Sequence, residues 1–137
     1  MVKGAHEMGA APEFREEVEA WVARLLGPEW EVVLGADDTL ADRAAVSVCV
    51  RNREATIMVC PTRDVRRNST ACHEVVHILL RRMHDVAWRI IDQLPEPLRQ
   101  FARDTWVDAH EEVTEDVARA FMRAYAAQAE TQKGDTV

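Results

Sequence analysis

His73 and His77 bracket Glu74-Val75-Val76, an H-E-x-x-H run inside a stretch whose apolar spacing predicts a helix. Residues four apart on a helix stand one turn above each other. Both imidazoles therefore leave one face and can share a divalent ion through nitrogen bonds of about 2.0–2.1 Å. Glu74 falls about one hundred degrees further round, close enough to a water on that ion to take its proton without binding the ion itself. His73 and His77 are thus expected to bind Zn2+, with Glu74 as catalytic base for hydrolysis of a peptide bond. The plainer alternatives are surface histidines on a solvated turn or core histidines satisfied by hydrogen bonds. A second such pair, His6-Glu7, is a decoy, because Ala10 stands where the second histidine would be needed.

Two histidines leave zinc one short of the three protein ligands usual in catalytic sites. A metzincin extension would need glycine at 80 and histidine at 83, where Leu80 and Met83 stand, and His84 is one residue out of place. Further on, Glu112-Val113-Thr114-Glu115-Asp116 places carboxylates four residues apart on a second helix. This E-x-x-x-D spacing resembles the gluzincins. The resemblance implies that Glu112 is the third metal ligand and that Asp116 hydrogen-bonds the outer nitrogen of a zinc histidine, fixing its tautomer. Glu111 and Glu115 have the same spacing, and either row could be a solvated acidic face. An apolar stripe at Val113, Val117, Ala120, Phe121, Ala124 and Tyr125 puts Glu112 and Asp116 beside the buried side, and on that phase they are the expected pair. Tyr125 then reads as core and Cys72 as a core thiol turned from the histidines, with His84 and His110 as ordinary packing or surface residues.

The elements that must position these groups read as α+β. Phe14, Val18, Trp21, Val22 and Leu25 form a helical stripe from Pro12 that Gly27-Pro28 ends. Trp30–Leu34, Ala44–Arg51 and Ala55–Cys60 are short, valine-rich and separated by turn signals, predicting a small, mostly antiparallel three-stranded sheet. Val46, Val48 and Val50 alternate with Ala45, Ser47 and Cys49, as in a strand with one face on a core. Ala55–Cys60 leads toward the metal helix and is the strand expected to offer a free edge to an extended peptide. Pro61 closes the sheet region. Everything after about Asn68 reads helical, with a break at Leu94-Pro95-Glu96-Pro97. Residues 1–11 show no sustained period and read as a flexible leader, leaving 12–137 as a single zincin-like domain. Over roughly residues 14–128 this order resembles the small ImmA/IrrE-type peptidases of phages and mobile elements. The chain carries Val76 where that family often has glycine.

A length of 137 residues with 47% apolar content suits one core and little more. The net charge of -7 argues against a nucleic-acid partner, which would call for a basic face. Arg51, Arg53, Arg63, Arg66 and Arg67 gather before the motif and read as solvated loop arginines. Cys49, Cys60 and Cys72 form neither an even disulfide set nor a C-x-x-C clip, which reads as reduced core thiols in a cytoplasmic protein. No signal-like leader or long apolar run points to a membrane. The expected partner is a peptide or protein substrate, with a regulatory protein as a further possibility. The competing reading keeps the zincin scaffold as a catalytically silent, protein-binding regulatory module.

Overall fold

The computed structural model of the chain describes residues 2–4, 12–41, 44–60 and 68–134. His6-Glu7, Pro61, Arg63, Arg66 and Arg67 lie outside the described residues. The elements run β1 (Val2–Gly4), α1 (Pro12–Leu25), β2 (Glu31–Ala36), β3 (Ala44–Cys49), β4 (Glu54–Val59), α2 (Asn68–Leu79), α3 (Arg81–Asp92) and α4 (Glu96–Gly134). The α+β class holds and the strand bounds lie within two residues of those expected, but the helical stretch expected from about Asn68 to the Leu94 break is split at Leu80 into α2 and α3.

The sheet differs from expectation in two ways. Val2–Gly4, read as part of a loose leader, forms a strand parallel to β2. The sheet is also mixed, in the order β1-β2-β4-β3, with β2 and β4 parallel and only β3 and β4 antiparallel. After β2 the chain goes to the far edge as β3, then returns as β4 into the gap between them, so β4 inherits the direction of β2. The return is a tight turn in which the Arg53 amide donates to the Val50 carbonyl at 3.2 Å. Arg53 takes the left-handed region at φ 54, which few residues other than glycine adopt. Ala55–Cys60 is consequently a central strand, and among the described residues the free edge beside the helices belongs to β3.

α1 lays its stripe of Phe14, Val18, Trp21 and Val22 into the core and ends at Gly27, whose φ of 90 lets its amide return to the Val22 carbonyl. α2 packs against α1, α4 and β3. It buries Ala71, Cys72, Val75, Val76 and Ile78 on several sides, so apolar contacts hold its axis while the His73 and His77 face lines a cavity. Each fully buried valine or isoleucine there contributes about 1.5–3 kcal/mol. A kink at Leu80 (φ -90, ψ 0) separates α2 from α3, while the Leu80 amide still reaches the Val76 carbonyl at 2.9 Å. Arg81 thus follows His77 by one turn across a shallow bend. After the expected break, Pro97 sits in the first turn of α4, where its missing N–H leaves no bond unmade.

The α4 stripe is rotated from the one expected. Thr114 is fully buried and Ala118 nearly so, whereas Val113 is 43% exposed and Ala120 and Ala124 are exposed as well. Val117, Phe121 and Tyr125 remain partly buried against the core. The Thr114 hydroxyl donates to the His110 carbonyl at 2.7 Å, so its one polar group is satisfied within the helix and its methyl is free to pack.

Candidate metal centre

Nε2 of His73 and Nε2 of His77 lie 3.1 Å apart. The Glu111 carboxylate spans both, with Oε1 at 2.8 Å from His73 Nε2 and Oε2 at 3.3 Å from His77 Nε2. One ligand atom from each of His73, His77 and Glu111 falls within 4.8 Å of the others, a possible metal-binding triad. Donors around a tetrahedral ion with bonds of about 2.0–2.1 Å stand about 3.3–3.4 Å apart. The observed separations need only small adjustments to meet that figure. Two imidazole nitrogens and one carboxylate oxygen are also a donor set that suits zinc.

Glu111, not Glu112, completes the triangle. Glu112 and Asp116 line a pocket together with His73, Glu111 and Glu115, but among the described residues the carboxylates bonded to the paired imidazoles are those of Glu111 and Glu115. The place expected for Asp116 behind a histidine is taken by Glu115, whose Oε2 is 2.7 Å from His73 Nδ1. Arg119 holds the other oxygen of Glu115 through Nε at 3.1 Å. The row Glu111–Glu115 therefore stands where Glu112–Asp116 was expected, beside the paired imidazoles. The acidic row beside the histidines is shifted by one residue because Thr114 rather than Val113 faces the core.

Both histidine side chains are mostly buried, at 17% and 16% exposure, while Glu111 reaches in from a surface position at 57%. Burial pushes the pKa of His77 down to about 4, against the pull of Glu111 and with help from His73 and His110. His77 is accordingly neutral near pH 7, the form that binds metal. Glu74, on the same helix, is buried at 7% exposure and lines the same cavity. That cavity holds about 860 Å³ and runs from Ala44–Val48 of β3, past the triad, to Arg81, His84 and His110.

The last three residues were not singled out in the sequence. His84 and His110, read as ordinary histidines, are in ring contact with each other at 5.2 Å, and His110 lies 5.6 Å from the His77 ring. Their spacing held a signal: Arg81 and His84 follow His77 at four and seven residues, and His110 precedes Glu111. Tyr125 is remote from the histidines and packs edge-on to Trp21 at 5.3 Å, as expected of a core residue. Cys60 and Cys72 are buried free thiols, but Cys49 is exposed and does not belong to the core. Burial raises the Cys72 thiol to about 11, and its Sγ lies 3.6 Å from the Ala118 carbonyl, away from the metal triad.

Among the described residues no helix is long and apolar enough to cross a membrane. Comparisons with protein-family models, curated proteins and solved structures gave no match. The chemistry of the site is read from its geometry alone.

Proposed function

We propose that the chain is a zinc-dependent peptidase of the gluzincin type, with His73, His77 and Glu111 holding the ion and Glu74 as the catalytic base. The observation that carries this reading is the convergence of two Nε2 atoms and one carboxylate from two separate helices, with a buried glutamate on the same helix turn as the first histidine. A bound zinc would polarise a peptide carbonyl and bring the pKa of a coordinated water toward about 7. Glu74 would be the group that takes a proton from the attacking water and returns it to the departing amine. Glu115 keeps the proton of His73 on Nδ1, leaving Nε2 as the metal-facing atom. The edge of β3 that has no strand partner among the described residues lines the cavity beside the triad and can receive an extended peptide by main-chain pairing.

Zinc analysis and a peptide-library cleavage assay on wild-type and Glu74→Gln protein test the proposal. The expected result is one zinc per chain in both and cleavage by wild type only, reduced about 10²–10⁴-fold or more by the substitution. Cleavage by Glu74→Gln at the wild-type rate contradicts the mechanism. Zinc bound without cleavage of any library member supports the silent scaffold instead.

A further inference from the structure

Past the metal triad, the cavity ends at two hydrogen-bond donors that the proposed chemistry does not use. Arg81 is the one arginine or lysine among the described residues lining that cavity, whose other charged groups are Glu74, Glu111 and Glu115. Its Nε donates to Asp85 Oδ1 at 2.9 Å, an i, i+4 pair that fixes the plane of the guanidinium. Both Nη nitrogens are left without a protein partner among the described residues. The side chain is 35% exposed, so they are open to a ligand.

His84 is fixed in the same way by a different neighbour. The Trp106 indole N–H is only a donor, and it lies 2.9 Å from His84 Nδ1. Nδ1 must therefore accept, and the neutral ring carries its proton on Nε2. Burial, reinforced by the charge of Arg81, holds His84 below its usual pKa, which keeps the ring neutral. Stacking on Trp88 at 5.1 Å braces the ring further. The Nε2–H donor, like the Arg81 Nη groups, has no protein acceptor among the described residues. Arg81 and His84, each held by a neighbouring side chain, line one cavity, and both can donate to one planar oxyanion.

We infer that Arg81 and His84 form a subsite for a carboxylate of the peptide substrate, placed beyond the metal on the α3 side of the cavity. The rings of His77, His110 and His84 succeed one another at 5.6 and 5.2 Å. The subsite thus lies at most about 11 Å from His77, a span of about three extended residues. The carboxylate comes either from the C-terminus of a short peptide or from an aspartate or glutamate side chain within about three residues of the cleaved bond. With three carboxylates elsewhere in the cavity, a substrate acid is tolerated at this end and repelled over the rest. The inference rests on the peptidase reading and deepens it by naming what the substrate must carry.

The test is binding, not turnover. Zinc-loaded Glu74→Gln protein is titrated calorimetrically with two matched pairs of peptides: a C-terminal acid against its amide, and an internal glutamate against glutamine. Because zinc itself attracts carboxylates, the decisive quantity is the preference within a pair with and without Arg81. One pair is expected to show at least about a tenfold preference for the acid, falling to near unity in Arg81→Gln and retained in part in Arg81→Lys. The pair that responds identifies the source of the carboxylate. Trp106→Phe, which frees the His84 tautomer, is expected to weaken the same preference by a smaller factor. Preferences unchanged by Arg81→Gln in both pairs overturn the subsite while leaving the peptidase reading intact. Failure of every peptide to bind a zinc-loaded protein strikes the peptidase reading and the subsite together.

Discussion

α2 and α4 each supply part of the candidate metal triad, yet they hold their shares in opposite ways. α2 is buried on several sides, and its two histidines are aligned by the helix repeat itself, so their relation to each other owes nothing to the rest of the fold. α4 is exposed over most of its 39 residues and meets the core along Thr114 and Ala118, flanked by Val117, Phe121, Met122 and Tyr125. Which of its carboxylates reaches the histidines depends on how that narrow strip docks. A rotation of one residue exchanges Glu111 for Glu112. A motif contained in one helix can be read from spacing, whereas a ligand delivered by a second helix depends on tertiary phase.

The comparison can be broken most forcefully at the residue that links the two helices. Glu115→Gln removes the carboxylate behind His73 and is expected to weaken zinc affinity about 10–100-fold, whereas Asp116→Asn leaves it within experimental error. Competition titration with a chromophoric chelator measures both. Equal losses would mean that α4 is not docked on the Thr114–Ala118 row.

The docking phase itself is sharpened by a pair of enlargements. Ala118 is 3% exposed and faces α2, while Ala120 is exposed. Ala118→Leu is expected to cost about 1–3 kcal/mol by overpacking, and Ala120→Leu to stay within about 0.5 kcal/mol. Denaturant unfolding reads the difference. The opposite ranking would restore the stripe expected from the sequence.

That stripe shows how far the sequence carries. The helix spans, the strand spans and the H-E-x-x-H face were legible because each depends on local spacing and on the glycines and prolines that end it. The phase of α4 was not legible. Valine at 113 and threonine at 114 invite the apolar residue inward, and only the hydroxyl bond to the His110 carbonyl makes threonine the better core residue. The sheet order escaped for a similar reason: short valine-rich strands carry no mark of which neighbour they pair with, and β4 inserts between β2 and β3. Val2–Gly4 is too short to show a period at all. His84 and His110 looked ordinary because their contacts form only when α4 docks, bringing Trp106 and His110 to His84 and His110 to His77.

A pH dependence separates the buried partner from the exposed one. The folded pKa of His77 is depressed to about 4 by burial, below the usual value near 6.5. The unfolded chain therefore binds more protons between those values, and stability rises with pH there. In metal-free protein, the His77 contribution is expected to be fully present above about pH 6.5, to decline as pH falls toward about 4, and to change no further below it. His77→Gln should flatten this part of the stability profile. A profile identical to wild type would place His77 in solvent.

The smallest effect expected is at the thiols. Cys72, buried and raised to about 11, should resist iodoacetamide in the native protein at pH 8, while exposed Cys49 reacts. Mass mapping of the alkylated peptides distinguishes them. Rapid modification of Cys72 would show that α2 is not sealed against α4.

The most direct test of the metal triad is the zinc dissociation constant of two single variants, Glu111→Gln and Glu112→Gln, measured side by side. Loss of tight zinc binding in Glu111→Gln, with wild-type affinity in Glu112→Gln, is the result expected from the geometry. Wild-type affinity in Glu111→Gln would contradict it.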